Sequence, residues 1–487
     1  MNHRQHKQLS RRKFLGQASC AAVGSTAFLS SVLNLSMINT AAARPHVIGS
    51  PDNYKAIVCV LLAGGADSHN ILVPRGQTEF QNYQNIRGDL ALSEMYVNED
   101  GNQVPFFHEI NPTNTSRQFG LHRGMENVKS LFDDGNAAFV ANIGTLVEPV
   151  LNNTQVYNET RRLPLGLYSH ADQIMQWQTS VPQDRNALGV GGRMADMLKE
   201  MNTIDEISMC ISLDGKNRFQ SGNSVVEYAI SNDPDPAKLG IEPINPNFND
   251  AGLLTDVRNR AINNIVEQSY ANIFQDTYAD LTQQSIEAVN IFKQTLEKKP
   301  SIPTVFSDTT LSQDMRMIAD VISAQCNLGA NRQIFFTTFG GWDHHDEVIN
   351  AQQGMLPVLD NALGEFYSAL KDLKRENDVT VMTISDFGRT LTSNGNGSDH
   401  AWGGNSIVMG GALRGQRVLG EYPDLTLNND LNLDERGRMI PTTSVDELYA
   451  DIALWFGVSP NDLDYVLPNL NNFYAYDPNN SPLGLFS

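Results

Sequence analysis

Residues 56–62 form a continuous apolar run that is closed by Gly64-Gly65. Because the run contains several β-branched residues and does not alternate with polar ones, it predicts a strand that is buried on both faces of a sheet. Similar apolar runs predict further strands at residues 137–143, 207–213, 333–339, 379–384 and 406–409. A chain with this many doubly buried strands needs helices to cover both faces of its sheet.

Helical patterns lie between these strands. Apolar residues recur three or four positions apart over residues 125–132, 171–178, 311–328, 356–373 and 445–456. Strands that alternate with helices over several hundred residues predict an α/β fold with a mostly parallel central sheet flanked by helices. Ligands of such a sheet collect at the carboxyl ends of its strands.

The chain begins with a segment that is typical of a twin-arginine signal peptide. Ser10-Arg11-Arg12-Lys13-Phe14-Leu15 precedes a stretch of small and apolar residues, and Ala41-Ala42-Ala43 offers a cleavage site. Polar residues interrupt the stretch, so it is a poor membrane-spanning helix and no stable span is expected after cleavage. We therefore predict export through the twin-arginine translocase, a periplasmic or secreted location, and a single mature domain over residues 44–487.

Composition excludes several classes of function. The leader carries five positive charges and no acid, so its removal takes the formal charge from −20 to −25. Such a negative field repels the phosphodiester backbone, which argues against nucleic-acid binding. Only Cys59, Cys210 and Cys326 remain after cleavage. Three distant cysteines predict neither a disulfide framework nor a thiolate metal site, and Cys59 and Cys326 are expected to be small core residues.

Residues 214–300 interrupt the strand and helix pattern. Residues 214–249 are dense in Asn, Asp, Pro and Gly, and a helical pattern over residues 253–296 follows until Pro300. This segment is a candidate insertion. It either caps the site or forms a surface loop with a packing helix.

Acids and imidazoles gather where the predicted strands end. Carboxylate oxygen and imidazole nitrogen are the ligands that divalent cations prefer, and they usually converge from several loops. Each position has an alternative role as a turn residue, a helix cap or a solvated side chain. Together they predict a site for one or two ions of Zn, Mg, Mn or Ca, with candidate ligands Asp67, Asp343, His345, Asp386, Asp399 and His400.

Two further residues are candidates for catalysis. Ser169 opens the helical stretch at 171–178, where the helix dipole stabilises an anion and a nearby metal lowers the pKa of a hydroxyl. A plain helix cap is the alternative, and it is the commoner use of serine at such a position. Arg389 follows the strand at 379–384 and either clamps an anionic oxygen or pairs with a carboxylate.

Together these motifs resemble an exported bacterial family, domain of unknown function fifteen-hundred-and-one. The resemblance runs in order along nearly the whole mature chain and rests on Leu62-Ala63-Gly64-Gly65-Ala66-Asp67, Tyr168-Ser169-His170, Gly340-Gly341-Trp342-Asp343-His344-His345, Ser385-Asp386-Phe387-Gly388-Arg389-Thr390, Asp399-His400 and Gly420-Glu421-Tyr422-Pro423. That family is similar in fold to the alkaline phosphatase and sulfatase superfamily, whose members hydrolyse phosphate or sulfate esters with divalent metals. The resemblance implies an alkaline-phosphatase-like three-layer sandwich.

The resemblance also implies roles for individual residues. Asp67 would match the metal-binding aspartate of the first strand, Ser169 the nucleophile, and Asp343 with His345 the Asp/His pair of one metal site. Asp386 stands where the superfamily has an Asp-His dyad, but Phe387 replaces the histidine. His400 with Asp399 would then provide the missing imidazole, or the second metal would be weak or absent.

The leading hypothesis is an exported, metal-dependent hydrolase that acts on a phosphate or sulfate ester of a small molecule or polysaccharide. Its nucleophile would be a metal-activated serine or a metal-bound water. The alternative is an exported protein that keeps the metal ligands but binds a polysaccharide or a surface complex without turnover.

Overall fold

Residues 53–203, 207–233, 291–477 and 480–486 are described by the computed structural model, together with positions 268 and 275. The predicted leader at residues 1–43 lies outside the described residues, as does most of the candidate insertion at 214–300. Of the helices in the described ranges, none has both the length and the apolar character that crossing a bilayer requires.

A nine-stranded sheet forms the centre of the described molecule. The strands of the described residues are β1 (Lys55–Ala63), β2 (Leu72–Pro74), β3 (Met95–Val97), β4 (Gln103–Pro105), β5 (Phe107–Ile110), β6 (Phe119–His122), β7 (Ala137–Gly144), β8 (Cys210–Ser212), β9 (Tyr228–Ala229), β10 (Arg332–Gly340), β11 (Val379–Ser385), β12 (Gly404–Met409), β13 (Arg417–Leu419) and β14 (Thr443–Ser444). The large sheet has the order β13-β7-β12-β11-β1-β10-β8-β9, with β14 beside β7. Two small sheets, β2-β6-β5 and β3-β4, lie outside it.

Strand direction determines which loops meet. β1 is parallel to both of its neighbours, β10 and β11, and β8 continues the parallel set. β12 is antiparallel to β11 and to β7. The carboxyl ends of β1, β10 and β11 and the amino end of β12 therefore share one edge of the sheet.

The α-helices cover both faces of this sheet. Those with both ends in the described residues are α1 (Gln77–Arg87), α2 (Glu126–Asp133), α3 (Asn153–Tyr157), α4 (His170–Thr179), α5 (Val190–Leu198), α6 (Thr310–Ser323), α7 (Val348–Leu373), α8 (Val445–Phe456) and α9 (Leu463–Val466). Along β1 the even-numbered side chains from Ala56 to Leu62 join a core that contains α6 and α7. Ile57, Cys59 and Leu61 join a second core, which contains α4, α5 and α8. The predicted α/β architecture with a mostly parallel central sheet is confirmed.

Local signals explain where the helices begin and end. α8 begins after Ser444, whose hydroxyl forms a capping box with Glu447, and it ends at Gly457 with φ +117°. α7 begins at Val348, eight residues before the predicted start, and continues through Pro357. The early turns of α7 lack an apolar period, and a tertiary contact holds them instead, because Gln352 donates to the Asp67 carbonyl at 2.8 Å.

Cysteine burial follows the sheet. Cys59 and Cys210 are buried in strands, whereas Cys326 is exposed in the turn after α6. The prediction of a core position for Cys326 is therefore wrong, because α6 ends at Ser323 and the helical pattern does not extend to it. Of the candidate insertion, residues 291–297 are helical, and Phe292 and Leu296 lie in the first core.

Candidate metal centre

The turn after β1 brings the loops of its neighbouring strands together. Gly64 N donates to Asp386 Oδ1 at 2.9 Å, and Trp342 N donates to the Ala63 carbonyl at 3.0 Å. Gly64 has φ +120°, and a Cβ there would lie 2.4 Å from the Asp343 nitrogen. Only glycine fits this conformation and this close approach. The turn therefore fixes the backbone beside Asp343 and the carboxylate of Asp386.

Three side chains converge at this edge of the sheet. One ligand atom each of His170, Asp343 and His400 lies within 4.8 Å of the others. Asp343 lies between the two rings, with Oδ2 3.4 Å from His170 Nε2 and Oδ1 3.4 Å from His400 Nε2. Among the described residues this is the one group of three or more such side chains compact enough for a metal ion.

The second ring nitrogen of each histidine is already held. His170 Nδ1 lies 2.6 Å from Asp386 Oδ2, and His400 Nδ1 lies 2.8 Å from the Tyr168 carbonyl. Since carbonyl and carboxylate oxygens only accept, Nδ1 carries the hydrogen in both rings. In a neutral ring Nε2 then offers a lone pair toward Asp343, as in carboxylate–histidine–metal sites.

His345 adds a third imidazole. Its Nδ1 lies 3.1 Å from Asp399 Oδ1, and its Nε2 lies 3.2 Å from Asp343 Oδ1 and 2.8 Å from His400 Nε2. The same tautomer argument places lone pairs on both Nε2 atoms when the rings are neutral. Two lone pairs at this distance repel, so the arrangement is stable with a proton or a cation among them. The donor set of imidazole nitrogens and one carboxylate fits a divalent metal.

Arg389 holds Asp343 in place. Its guanidinium is buried and donates to Asp343 Oδ1 at 2.6 Å, to the Gly65 carbonyl at 2.6 Å and to the Ser398 carbonyl at 3.0 Å. Partial burial acts to raise the pKa of Asp343, but the hydrogen bond and charge of Arg389, with His170 and His345, outweigh it and lower that pKa. Asp343 is therefore an anion at neutral pH.

The same environment keeps His400 neutral. Burial lowers the pKa of His400, and the positive charge of Arg389 lowers it further, while the hydrogen bond to the Tyr168 carbonyl opposes both. A neutral imidazole is the form that binds a metal.

One short turn carries Tyr168, Ser169 and His170. Tyr168 has φ +71°, an uncommon conformation for a non-glycine residue, and its carbonyl faces His400. Ser169 caps α4, because its Oγ accepts from Asp172 N at 3.4 Å. His170 is the first residue of α4. Backbone strain of this kind clusters at functional sites.

Phe387 forms an apolar wall of the site. Its ring centroid lies 4.8 Å from that of His170 and 4.4 Å from that of His400. On its other side the ring lies against Gly65, where a Cβ would come within 2.5 Å of it. The position after Asp386 therefore fixes the two imidazoles by contact.

Asp67 lies in a different environment. It is buried and pairs with Arg87 at 2.6 Å, and it accepts from Ser398 Oγ at 3.3 Å. Burial acts to raise the pKa of Asp67, but the charge and hydrogen bond of Arg87, with His69, outweigh it and lower that pKa. Asp67 Oδ1 has no hydrogen-bond partner in the described residues.

The predicted residues thus fall into four sets. Asp343, His345 and His400 face a common point, while Asp386 and Asp399 contact the far nitrogens of His170 and His345. Asp67 is held in its ion pair, and Ser169 and Arg389 make the cap and the hydrogen bonds given above. Their catalytic and metal-binding roles stay predictions. His170 was missed as a ligand, although its place beside a candidate serine at a helix start was a usable signal.

One family model matches part of the chain. The model of the family "Protein of unknown function (DUF1501)" matches residues 246–467, which confirms the family resemblance over those residues. Among curated proteins, none matches this chain.

Several solved structures are distantly similar. A crystal structure of Ps i-CgsB in complex with k-i-k-neocarrahexaose shares 10% identity, covers 86% of this chain and 77% of its own, and has a TM-score of 0.32. The lipoteichoic acid synthase LtaP from Listeria monocytogenes shares 10% identity, covers 85% of this chain and 76% of its own, and has a TM-score of 0.31. Both TM-scores lie below 0.5, and nothing about the chemistry of this chain follows from them.

Proposed function

We propose that the protein is an exported, metal-dependent hydrolase of phosphate or sulfate esters. The observation that carries the proposal is the convergence of His170, Asp343 and His400 within 4.8 Å, with the far nitrogen of each ring anchored. A bound divalent cation would polarise an ester oxygen and lower the pKa of a hydroxyl beside it. The ester class and the export come from the motifs and the leader of the sequence.

The surrounding residues hold this geometry. Asp386 orients His170, the Tyr168 carbonyl orients His400, and Arg389 keeps Asp343 charged and fixed. Outer contacts of this kind typically change metal affinity by about 10- to 100-fold. His345 Nε2 lies 2.8 Å from His400 Nε2 and would offer a further imidazole nitrogen to the same ion.

Ser169 is the proposed nucleophile. It precedes His170 directly, so its hydroxyl leaves the backbone beside a metal-binding side chain. The amino end of α4, ten residues long, favours negative charge on an attacking oxygen or on the ester. In the capping bond at 3.4 Å Ser169 Oγ accepts, so this bond does not use the hydroxyl hydrogen, and a hydrogen bond with Ser169 helps to lower the pKa of the Asp172 carboxyl.

The experiment is to measure metal content and turnover of aryl phosphate and aryl sulfate by the mature protein. Changing Asp343→Ala together with His400→Ala should abolish both bound metal and turnover. Unchanged turnover in this double variant would reject the site. If Ser169→Ala keeps full activity, water replaces serine as the nucleophile.

A second function has specific support. The guanidinium of Arg389 is occupied by protein oxygens, so it cannot clamp a substrate anion without giving up existing bonds. Ser169 already serves as a helix cap. Both features favour an exported protein that binds metal, and a polysaccharide or assembly partner, without turnover. A protein that binds metal but hydrolyses none of a panel of phosphate and sulfate esters would establish this alternative.

A further inference from the structure

We infer that the site holds one metal ion rather than two, and that its donor set selects a zinc-like transition metal over magnesium or calcium. The inference rests on the proposed metal centre but not on turnover. It follows from the contacts that the neighbouring carboxylates and the Phe387 ring make in the described part of the chain.

A buried partner occupies Oδ2 of Asp67, and the remaining oxygen, Oδ1, is buried beside that positive charge. The side chain of Asp67 is 1% exposed and that of Arg87 is 0% exposed, with 2.6 Å between Oδ2 and the guanidinium. The guanidinium also donates to the Thr390 carbonyl at 3.1 Å, which fixes it where it is. A cation on Asp67 would lie next to a buried positive charge, and breaking such a buried pair is strongly unfavourable.

Asp386 and Asp399 are occupied as well. Both oxygens of Asp386 are used, one by Gly64 N and one by His170 Nδ1, and the side chain is 1% exposed. Asp399 accepts from His345 and Asn394 through Oδ1 and pairs with Arg436 through Oδ2. Asp386 and Asp399 meet the Nδ1 atoms of His170 and His345, whereas Asp343 faces the Nε2 atoms of the three imidazoles.

Phe387 fills the space on the remaining side. Its ring contacts the imidazoles of His170 and His400 and packs against Gly65. An aromatic ring offers no σ-donor atom and excludes water. The position after Asp386 therefore supplies no ligand for a second ion beside His170 and His400.

The donors that do converge are mostly nitrogen. His170, His345 and His400 contribute imidazoles around the single carboxylate of Asp343. Magnesium and calcium prefer oxygen ligands, whereas imidazole suits zinc and its neighbours among the transition metals. The geometry thus favours zinc, and cobalt as its spectroscopic substitute.

The test is a titration of the stripped, mature protein with Zn²⁺, Co²⁺, Mg²⁺ and Ca²⁺. We expect one equivalent of Zn²⁺ or Co²⁺, a visible Co²⁺ absorption that Asp343→Asn removes, and no displacement by millimolar Mg²⁺ or Ca²⁺. Two equivalents of tightly bound metal, or preference for Ca²⁺ or Mg²⁺, overturns the inference. Neither readout involves turnover, so a protein that binds one zinc and hydrolyses nothing contradicts only the proposed function.

A paired variant tests the assignment of Asp67. Asp67→Asn with Arg87→Met removes both buried charges together, and we expect the folded variant still to bind one equivalent with affinity within about threefold of wild type. Loss of the metal from this folded variant would show that Asp67 is a ligand. Circular dichroism decides whether the variant is folded, and the wild-type stoichiometry stands as the test if it is not.

Discussion

Two aspartates follow the same short sequence and have opposite surroundings. Gly64-Gly65-Ala66-Asp67 follows β1, and Gly340-Gly341-Trp342-Asp343 spans the end of β10, its parallel neighbour. Asp67 is buried against Arg87, whereas the side chain of Asp343 is 47% exposed and faces three imidazoles. A Gly-Gly-x-Asp turn at a strand end therefore brings a carboxylate to this edge but does not determine what it binds.

The difference arises from residues far away in the chain. Arg87 is the last residue of α1 and pairs with Asp67, while Arg389 lies in the loop after β11 and pairs with Asp343. Arg389 leaves Asp343 Oδ2 open toward His170. The residue that packs beside each turn therefore determines whether its aspartate is buried in an ion pair, as Asp67 is, or is left facing the imidazoles, as Asp343 is.

The largest expected effect concerns the metal-binding cluster of His170, Asp343 and His400. His170→Ala removes a lone pair that Asp386 now directs at Asp343, and we expect metal affinity to fall by more than ~100-fold, since loss of an outer partner alone costs about 10- to 100-fold. Metal analysis and calorimetric titration measure it. His108→Ala, a histidine outside the cluster, is the matched control, and equal metal binding in both variants would remove His170 from the site.

The next largest effect concerns the buried ion pair of Asp67 and Arg87. Arg87→Met leaves the Asp67 carboxylate buried without its partner, which should destabilise the fold by about 3–5 kcal/mol in chemical denaturation. Lys129→Met breaks the exposed pair with Asp133 and should cost only about 0.3–0.5 kcal/mol. If the Arg87 variant lost metal but kept its stability, the contrast between the two aspartates would be incorrect.

A smaller effect is expected from the orienting carboxylate. Asp386→Asn keeps the shape of the side chain but weakens its hold on His170 Nδ1, so metal affinity should fall by about 10- to 100-fold. The stoichiometry should stay at one, as measured by titration. A variant with no loss of affinity would mean that Asp386 serves the fold through Gly64 N alone.

The smallest effect is a change with pH. In the wild type the pKa of Asp67 is lowered, so the pair contributes fully above the unfolded pKa of about 3.9 and loses its contribution as the pH falls below that value. Without Arg87, burial raises that pKa, and the folded variant binds a proton that the unfolded chain does not. The free energy of unfolding of Arg87→Met should therefore approach that of the wild type as the pH falls, measured by chemical denaturation at about pH 8, 6.5 and 5. A difference between the two proteins that stays constant with pH would argue against the ion pair.

Sequence patterns were sufficient for much of the central sheet. β1, β7, β10 and β11 are apolar on both faces, and α8 has an apolar period between a serine cap and a glycine stop, so local signals define them. α1 was not predicted, because Gln77–Arg87 is rich in Gln and Asn and buries only Phe80, Tyr83 and Arg87. The antiparallel direction of β12 has no signal in the short apolar run that was predicted at residues 406–409.

The site was only partly predictable for a related reason. Asp343, His345 and His400 were candidates because their loops follow predicted strands, and parallel strands bring such loops to one edge. His170 depends on Asp386, 216 residues away, and Asp67 is closed by an arginine on a helix that was not predicted. Pairings over such separations depend on the tertiary structure, which spacing along the chain does not encode.

The groups of Tyr168, Ser169 and His170 are coupled through one stretch of backbone. A carbonyl, a hydroxyl and an imidazole leave consecutive residues, so any rotation about the Tyr168 backbone swings all three at once. Deleting one residue there would rotate the start of α4 by roughly 100° relative to its neighbours. Laboratory evolution of this protein should accordingly tolerate exchanges of side chain in this turn far better than changes in its length.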